Sequence, residues 1–208
     1  MCDKHSIRMM KTYLSVYILA GGQSARMGQE KGLVKILGKT MIEYVLDVGK
    51  SLTDRIVIVT ANPAYEPFGY ELIQDQISSS GPAGGIDAML QHSSSPKNLV
   101  LSCDMPLIDA QSIRVLIDES KSFDITAAAG EGGVQPFPAV YHAQCKEQWR
   151  SLLSEGYKKL QDYFQHFAVN QVDPQKLLRY NTLLFKNVNT PIDITETEEF
   201  IFKRSSQP

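Results

Sequence analysis

Six short apolar runs rich in β-branched residues, at 14–19, 55–60, 70–73, 98–102, 124–128 and 138–142, recur along this chain of 208 residues. Between them the apolar residues fall at helical spacing. Met41, Ile42, Val45, Leu46 and Gly49 share one face, Ile86, Met89 and Leu90 a second, and Ile113, Leu116 and Ile117 a third. Strand-like runs alternating with helical stretches predict an α/β fold, a three-layer arrangement in which helices flank a mostly parallel sheet. Two further helices are expected over 144–153 and 158–167. In such a sheet the ligand lies beyond the carboxyl ends of the strands, near a switch in strand order, so the strand exits are where function is sought.

A chain of this size buries about 70% of the surface its unfolded form exposes, enough for one substantial core. No linker, repeat or low-complexity tract interrupts it, so residues 12–208 are expected to form a single domain behind a flexible lead-in over 1–11, where Met9 or Met10 offers an alternative start. Residues 1–20 imitate a secretion signal. Their apolar run, however, is barely at the ~7-residue minimum and is interrupted by Ser15, and a first β-strand explains it better. No apolar stretch approaches the ~18 residues of a membrane helix. The cysteines, Cys2, Cys103 and Cys145, are odd in number, far apart and lack a C-x-x-C pair. That disfavours a disulfide framework and a zinc site, and points to a cytoplasmic protein without a membrane partner.

The formal charge is −2, but it is unevenly spread. Residues 1–40 hold seven cations and two anions (net +5), while 41–208 hold 14 cations and 21 anions (net −7). With no global basic excess and no aromatic residues interleaved with the cations, nucleic acid is not an expected partner.

The first strand leaves into Leu19-Ala-Gly-Gly-Gln-Ser-Ala-Arg-Met-Gly28, followed by Lys31. Gly21 and Gly22 remove two side chains where backbone N–H groups could wrap a phosphate, and Arg26 and Lys31 bring two cations to the same loop. Neither G-x-x-x-x-G-K-[ST] nor G-x-G-x-x-G fits, which disfavours P-loop and dinucleotide-binding enzymes. Asn62 and Asp75 follow the second and third strands; together they could read a base edge or a ribose, and singly each is also a common turn former. Gly81-Pro-Ala-Gly-Gly85 opens a helical pattern, either baring N–H groups to an anion or base or forming a tight turn. Asp104 stands where an apolar strand meets its loop, suited either to hold Mg²⁺ against substrate phosphates or to cap a helix.

Taken together, the first loop with Lys31, Gly81-Pro-Ala-Gly-Gly85 and Cys103-Asp-Met-Pro106 resemble the nucleotidyltransferase superfamily. Gln135-Pro-Phe-Pro-Ala-Val-Tyr141 and Phe185-Lys-Asn-Val-Asn-Thr-Pro191 further resemble the Q-P-L-F-A-V-Y and N-V-N-T-P stretches of its molybdenum cofactor guanylyltransferase branch. The resemblance runs from residue 13 to about residue 200, nearly the whole chain. It implies a Rossmann-like nucleotidyltransferase fold. It also implies nucleotide contacts at Leu19, Ala20, Gly21, Gly22, Lys31, Asn62, Asp75, Gly81, Gly85 and Asp104, with Asp104 the ligand of Mg²⁺ or, in its place, Mn²⁺. Asn187 and Asn189 fall on the pterin side, and Arg26, Lys31 and Asp104 take the catalytic roles. Two departures stand out: Ala83 and Gly84 replace the Leu and Ala of the usual Gly-Pro-Leu-Ala-Gly, and Tyr157-Lys-Lys-Leu160 lacks the expected acidic residue and small residue before its Leu.

The reaction so implied transfers GMP from GTP to the phosphate of molybdenum-loaded molybdopterin and releases pyrophosphate. A phosphate nucleophile is already ionised near neutral pH, which accords with His5, His92, His142 and His166 lying outside the strand-exit loops. Cofactor-biosynthesis proteins and apo-molybdoenzymes would be the protein partners. Two rivals are a sister nucleotidyltransferase, acting on the same cofactor with CTP or on a sugar phosphate, and a catalytically silent nucleotide-binding module.

Overall fold

The computed structural model describes residues 13–21, 23–24, 29–75 and 81–205; the lead-in expected over 1–11 and the candidates Gly22 and Arg26 lie outside them. In chain order the first elements are β1 (Leu14–Leu19), a ribbon of β2 (Gln23–Ser24) and β3 (Gln29–Glu30), a 3₁₀ turn (Lys31–Leu33), a hairpin of β4 (Lys35–Ile36) and β5 (Lys39–Thr40), and α1 (Met41–Leu52). Next come β6 (Ile56–Val59), a 3₁₀ turn (Pro63–Phe68), β7 (Glu71–Ile73), α2 (Gly81–His92), β8 (Lys97–Ser102) and α3 (Ala110–Glu119). The remainder comprises β9 (Ile125–Gly130), β10 (Gly133–His142), a 3₁₀ turn (Ala143–Cys145), α4 (Lys146–Ser154), α5 (Leu160–Phe164), β11 (Val169–Val172), α6 (Pro174–Leu178) and α7 (Pro191–Ser205).

Seven strands form one sheet in the order β11-β9-β10-β8-β1-β6-β7. Only β10 runs against its neighbours β8 and β9; the other pairings are parallel. The expected mostly parallel sheet is therefore present. The chain passes from β1 outward to β6 and β7, then returns to β8 on the other side of β1, so strand order switches at β1. There Leu19 is in register with Val59 on one side and Ser102 on the other, which sets three strand exits side by side.

Alternation along β1 sorts its side chains between the two layers. Leu14, Val16 and Ile18 pack with Ile42, Val45 and Leu46 of α1 and Ile113, Leu116 and Ile117 of α3. On the other face Tyr17 packs with Ile86, Met89 and Leu90 of α2 and with Trp149. Trp149 is fully buried, stacks on Tyr163 with ring centroids 4.4 Å apart, and would cost roughly 3–5 kcal/mol if cut to Ala.

Local chemistry fixes the element ends. Thr40 N–H donates to Glu43 Oε2 at 2.7 Å at the start of α1, and Asp109 accepts from the backbone N–H groups of Gln111 and Ser112 at the start of α3. The cap of α3 is thus Asp109, which leaves Asp104 outside that duty. Strand β10 begins earlier than the apolar run at 138–142 indicates, because its ladder is interrupted between Val134 and Ala139, where Pro136 and Pro138 cannot donate. The helix expected over 144–153 is met by the 3₁₀ turn and α4 together, whereas the one expected over 158–167 is shorter. Gly156, at φ +90°, follows the first, and the second yields after five residues to β11, whose Val-Asn-Gln-Val sequence is too polar to read as a buried strand.

Candidate active site

A cavity of about 440 Å³ opens at the switch point, lined by Leu19 and Gly21 after β1, Val59, Thr60 and Ala61 after β6, Asp75 after β7, and Gly81, Pro82 and Gly85 of α2. Ala20 is fully buried, and its N–H continues the sheet to Val59 O at 3.0 Å. It shapes the turn from below while Leu19 and Gly21 face the space.

The glycines of α2 have separate reasons to be glycine. Gly81 has φ +57°, a conformation that L side chains rarely adopt. A Cβ on Gly85 would press to 3.2 Å from Leu19 Cδ2. A Cβ on Gly84 would fall 1.9 Å from Asp75 Oδ2, so the Asp75 carboxylate rests in the space that the usual Ala would fill. Of the two alternatives for these five residues, the helix start is the one observed: they form the first turns of α2. Trp149 Nε1 donates to Ala83 O at 3.0 Å and anchors them. One turn on, the buried Asp87 accepts from Arg150 Nε at 2.8 Å and from an outer guanidinium nitrogen at 2.6 Å. That pairing holds the Arg150 guanidinium above its ordinary pKa.

At the third exit the chain turns through Ser102-Cys103-Asp104-Met105, closed by Met105 N–H to Ser102 O at 3.3 Å. Cys103 points inward and is buried; desolvation pushes its thiol well above the ordinary range, so it stays neutral and is no thiolate ligand. Asp104 points outward. Its Oδ1 accepts from Ser102 Oγ at 2.6 Å, and its Oδ2 lies 3.4 Å from Lys31 Nζ. Lys31 also donates to Asn189 Oδ1 at 2.5 Å. The link to Asn189 depends on α7, whose Ile194 and Ile201 pack with Val34, Ile36, Met41 and Val188, while Val188 N–H donates to Asp104 O at 2.9 Å.

Asn62 is placed differently. Its Oδ1 accepts from Ala64 N–H at 3.0 Å and its Nδ2 reaches Glu30 Oε2 at 3.4 Å, so the side chain acts as a turn cap beside a smaller neighbouring cavity. Glu30 also accepts from Tyr65 Oη at 3.1 Å, and burial keeps that phenol protonated. Gly32 makes room for it, since a Cβ there would lie 2.4 Å from the same hydroxyl. Sequence reasoning missed Glu30, Tyr65 and Ser102.

A second cavity, about 290 Å³, adjoins the first and is lined by Asp104, Met105, Gln135, Phe137, Leu160, Phe185 and Asn187 among others. Pro82, Ser102 and Phe137 line both. Asn187 therefore faces the second space, whereas Asn189 holds Lys31. Gln135 and Phe137 show what the 135–141 stretch contributes: an amide and an aromatic wall.

Among the described residues no three His, Cys, Asp or Glu side chains gather as a metal-holding group. Asp104 offers a carboxylate in the second cavity, hydrogen-bonded to the Ser102 that lines both. One carboxylate of this kind suits Mg²⁺, which keeps waters and takes substrate phosphates as further ligands.

Comparisons with known proteins bear on the family and the fold. Residues 16–171 match the model of the MobA-like NTP transferase domain. A relative from Flavobacterium johnsoniae, named "probable molybdenum cofactor guanylyltransferase", is 35% identical over 150 residues, 72% of this chain and 79% of its own. One from Pelotomaculum thermopropionicum with the same name is 34% identical over 184 residues, 86% of this chain and 89% of its own. Among solved structures, molybdopterin-guanine dinucleotide biosynthesis protein A from Archaeoglobus fulgidus superposes with a TM-score of 0.78 at 25% identity, covering 91% of this chain and 99% of that one. A CMP:2-keto-3-deoxy-manno-octonic acid synthetase shares the fold at 13% identity, with a TM-score of 0.67 over 92% of this chain and 99% of that one. With the matched domain spanning the sheet from β1 into β11 and so including the strand exits around the first cavity, the chain belongs to the MobA-like NTP transferase family.

Proposed function

We infer that this protein transfers GMP from GTP to the terminal phosphate of molybdopterin, forming a guanine dinucleotide and releasing pyrophosphate, as a single domain over residues 12–208. The observation that carries the reading is the relay from Asn189 through Lys31 to Asp104, beside the wall that two adjoining cavities share. Two substrates need two spaces and a common border where phosphate meets phosphate. The relatives named for guanylyl transfer supply the identity of the pair.

GTP is assigned to the cavity at the switch point, with its base toward Asp75 and the first turn of α2. Molybdopterin is assigned to the second cavity. There the flat apolar surfaces of Phe137 and Phe185 and the amides of Gln135 and Asn187 suit a planar heterocycle rich in hydrogen-bonding groups. Asp104 would hold Mg²⁺, or Mn²⁺ in its place, and the bound ion neutralises phosphate charge.

In the reaction an acceptor phosphate oxygen attacks the α-phosphorus of GTP, and the bond to the bridging oxygen breaks as pyrophosphate leaves. The nucleophile carries its charge already, so no general base is required. No histidine lines either cavity among the described residues. Lys31 contributes a fixed positive charge, and Asn189 aims it. Arg26 is proposed to add a second charge from the first loop. Catalysis then rests on positioning and charge neutralisation. A cytoplasmic setting is proposed from the cysteine usage; separately, no described helix is long and apolar enough to cross a membrane.

The reading is tested by incubating the protein with GTP, Mg²⁺ and molybdopterin and measuring pyrophosphate. Release that requires the acceptor and disappears in Asp104→Ala supports it. Release that persists in Asp104→Ala, or that ignores the acceptor, contradicts it.

A further inference from the structure

Ser102 ends β8, and its register partner Leu19 ends β1. It is the only polar side chain among the described residues that line both cavities, the others being Pro82 and Phe137. Its hydroxyl donates 2.6 Å to Asp104 Oδ1 across the turn, and that proton can serve one acceptor at a time. The other oxygen, Oδ2, is the one turned toward Lys31 Nζ.

An aspartate on a loop has two free side-chain torsions, and its carboxylate can present either oxygen or neither to a ligand. Two contacts fix the backbone here and a third reaches the carboxylate. The turn from Ser102 O to Met105 N–H fixes the backbone, Val188 N–H holds Asp104 O, and the serine proton holds one carboxylate oxygen. A hydrogen bond to a ligating carboxylate orients it for the ion and is part of what sets metal affinity. Ser102 can do so without competing for the ion, because it acts as donor on Oδ1 and leaves Oδ2 facing the charge.

We propose that Ser102 is a positioning residue, whose hydroxyl locks the Asp104 carboxylate so that Oδ2 meets a divalent cation at the border of the two cavities. This rests on the assignment of the cation to Asp104, and the experiment separates the two ideas.

Mn²⁺ binding is measured by electron paramagnetic resonance of the free ion, with the whole protein and a non-hydrolysable GTP analogue. The variants are Ser102→Ala, Ser102→Thr and Asp104→Ala, and analogue affinity without metal is measured beside them. Ser102→Ala is expected to weaken Mn²⁺ binding roughly tenfold and to raise the Mg²⁺ needed for half-maximal turnover to a similar degree, the usual range for such a partner being about 10- to 100-fold. Ser102→Thr, which keeps the hydroxyl, restores binding. The metal-free affinity for the analogue is expected to change by a much smaller factor than Mn²⁺ binding does. Mn²⁺ bound by Ser102→Ala as tightly as by wild type, while Asp104→Ala loses it, overturns the role of Ser102 and leaves the cation assignment standing. Mn²⁺ bound equally by Asp104→Ala removes the assignment itself.

Discussion

Lys31 and Asn189 stand 158 positions apart in the chain and meet through one hydrogen bond, Nζ to Oδ1 at 2.5 Å. The contact closes because α7 docks on the hairpin that follows Lys31 and on the start of α1, through Ile194 and Ile201 on one side and Ile36 and Met41 on the other. A lysine with four methylenes is otherwise free to sweep a wide volume. Asn189 holds it beside Asp104, where the proposed reaction has phosphate charge to meet.

Removing that charge should be costly, and removing only its guide less so. Lys31→Ala is expected to lower turnover by about 10²- to 10³-fold, the loss typical of one contact to a charged transition state. Asn189→Ala should lower it by a smaller factor with the fold intact. Steady-state rates with both substrates varied check this, and equal losses in the two variants would contradict the division of roles.

Gly84 sets the place of Asp75. A methyl group there would fall 1.9 Å from the carboxylate oxygen, and something must move. Gly84→Ala is expected to reduce kcat/KM for GTP by roughly 10- to 100-fold, as ligand misplacement near 1 Å does, with the KM for the acceptor unchanged. Kinetics indistinguishable from wild type would mean that Asp75 does not contact the nucleotide.

The Asp87–Arg150 pair bears on stability. Asp87 is almost wholly buried in α2, while the Arg150 side chain is about one-third exposed, so water screens part of the pair. Arg150→Met strands the carboxylate and is expected to cost about 3 kcal/mol, at the low end for breaking such a pair, which lowers Tm by roughly 6–12 °C at this chain length. Thermal unfolding at neutral pH is the measurement.

Two carboxylates predict an acid response. Glu43 is held below its ordinary pKa by hydrogen bonds from the Thr40 hydroxyl and then its N–H, and Asp193 by Asn189 N–H and then the Thr190 hydroxyl. A folded pKa below the unfolded one means the folded state binds fewer protons. The stabilisation is therefore complete above the unfolded values near pH 4 and is lost as pH falls through the depressed folded values. The Tm difference between wild type and a Glu43→Gln, Asp193→Asn double variant should narrow from pH 7 to pH 3. A gap of constant size would show that these bonds do not depend on the charge.

The parallel sheet was legible because β6 is a contiguous apolar run and β1 and β8 each carry a short apolar stretch, all largely buried, and such runs announce themselves without regard to the rest of the chain. Helix α7 was not: Ile194 and Ile201 pack inward, while Ile192 and Phe202 are 70% and 69% exposed, so no single apolar stripe marks it. At the site, Gly21, Gly81, Gly85, Asp75 and Asp104 were legible as unusual residues at strand exits. Asn62 was equally conspicuous, yet its amide is engaged by Ala64 and Glu30. Ser102, Glu30 and Tyr65 were silent, because a serine ending a strand or a tyrosine in a short turn takes its meaning from partners far along the chain. Only the motif resemblance pointed to Asn189.

The central claim, GMP transfer to the phosphate of molybdopterin, is tested most directly with α-³²P-labelled GTP, CTP, ATP and UTP, each supplied with molybdopterin and Mg²⁺. The account predicts that label from GTP enters a dinucleotide product, with one pyrophosphate released for each product formed, and that the other three nucleotides give little. Transfer from CTP in preference to GTP, or binding of GTP with no labelled product, would contradict it.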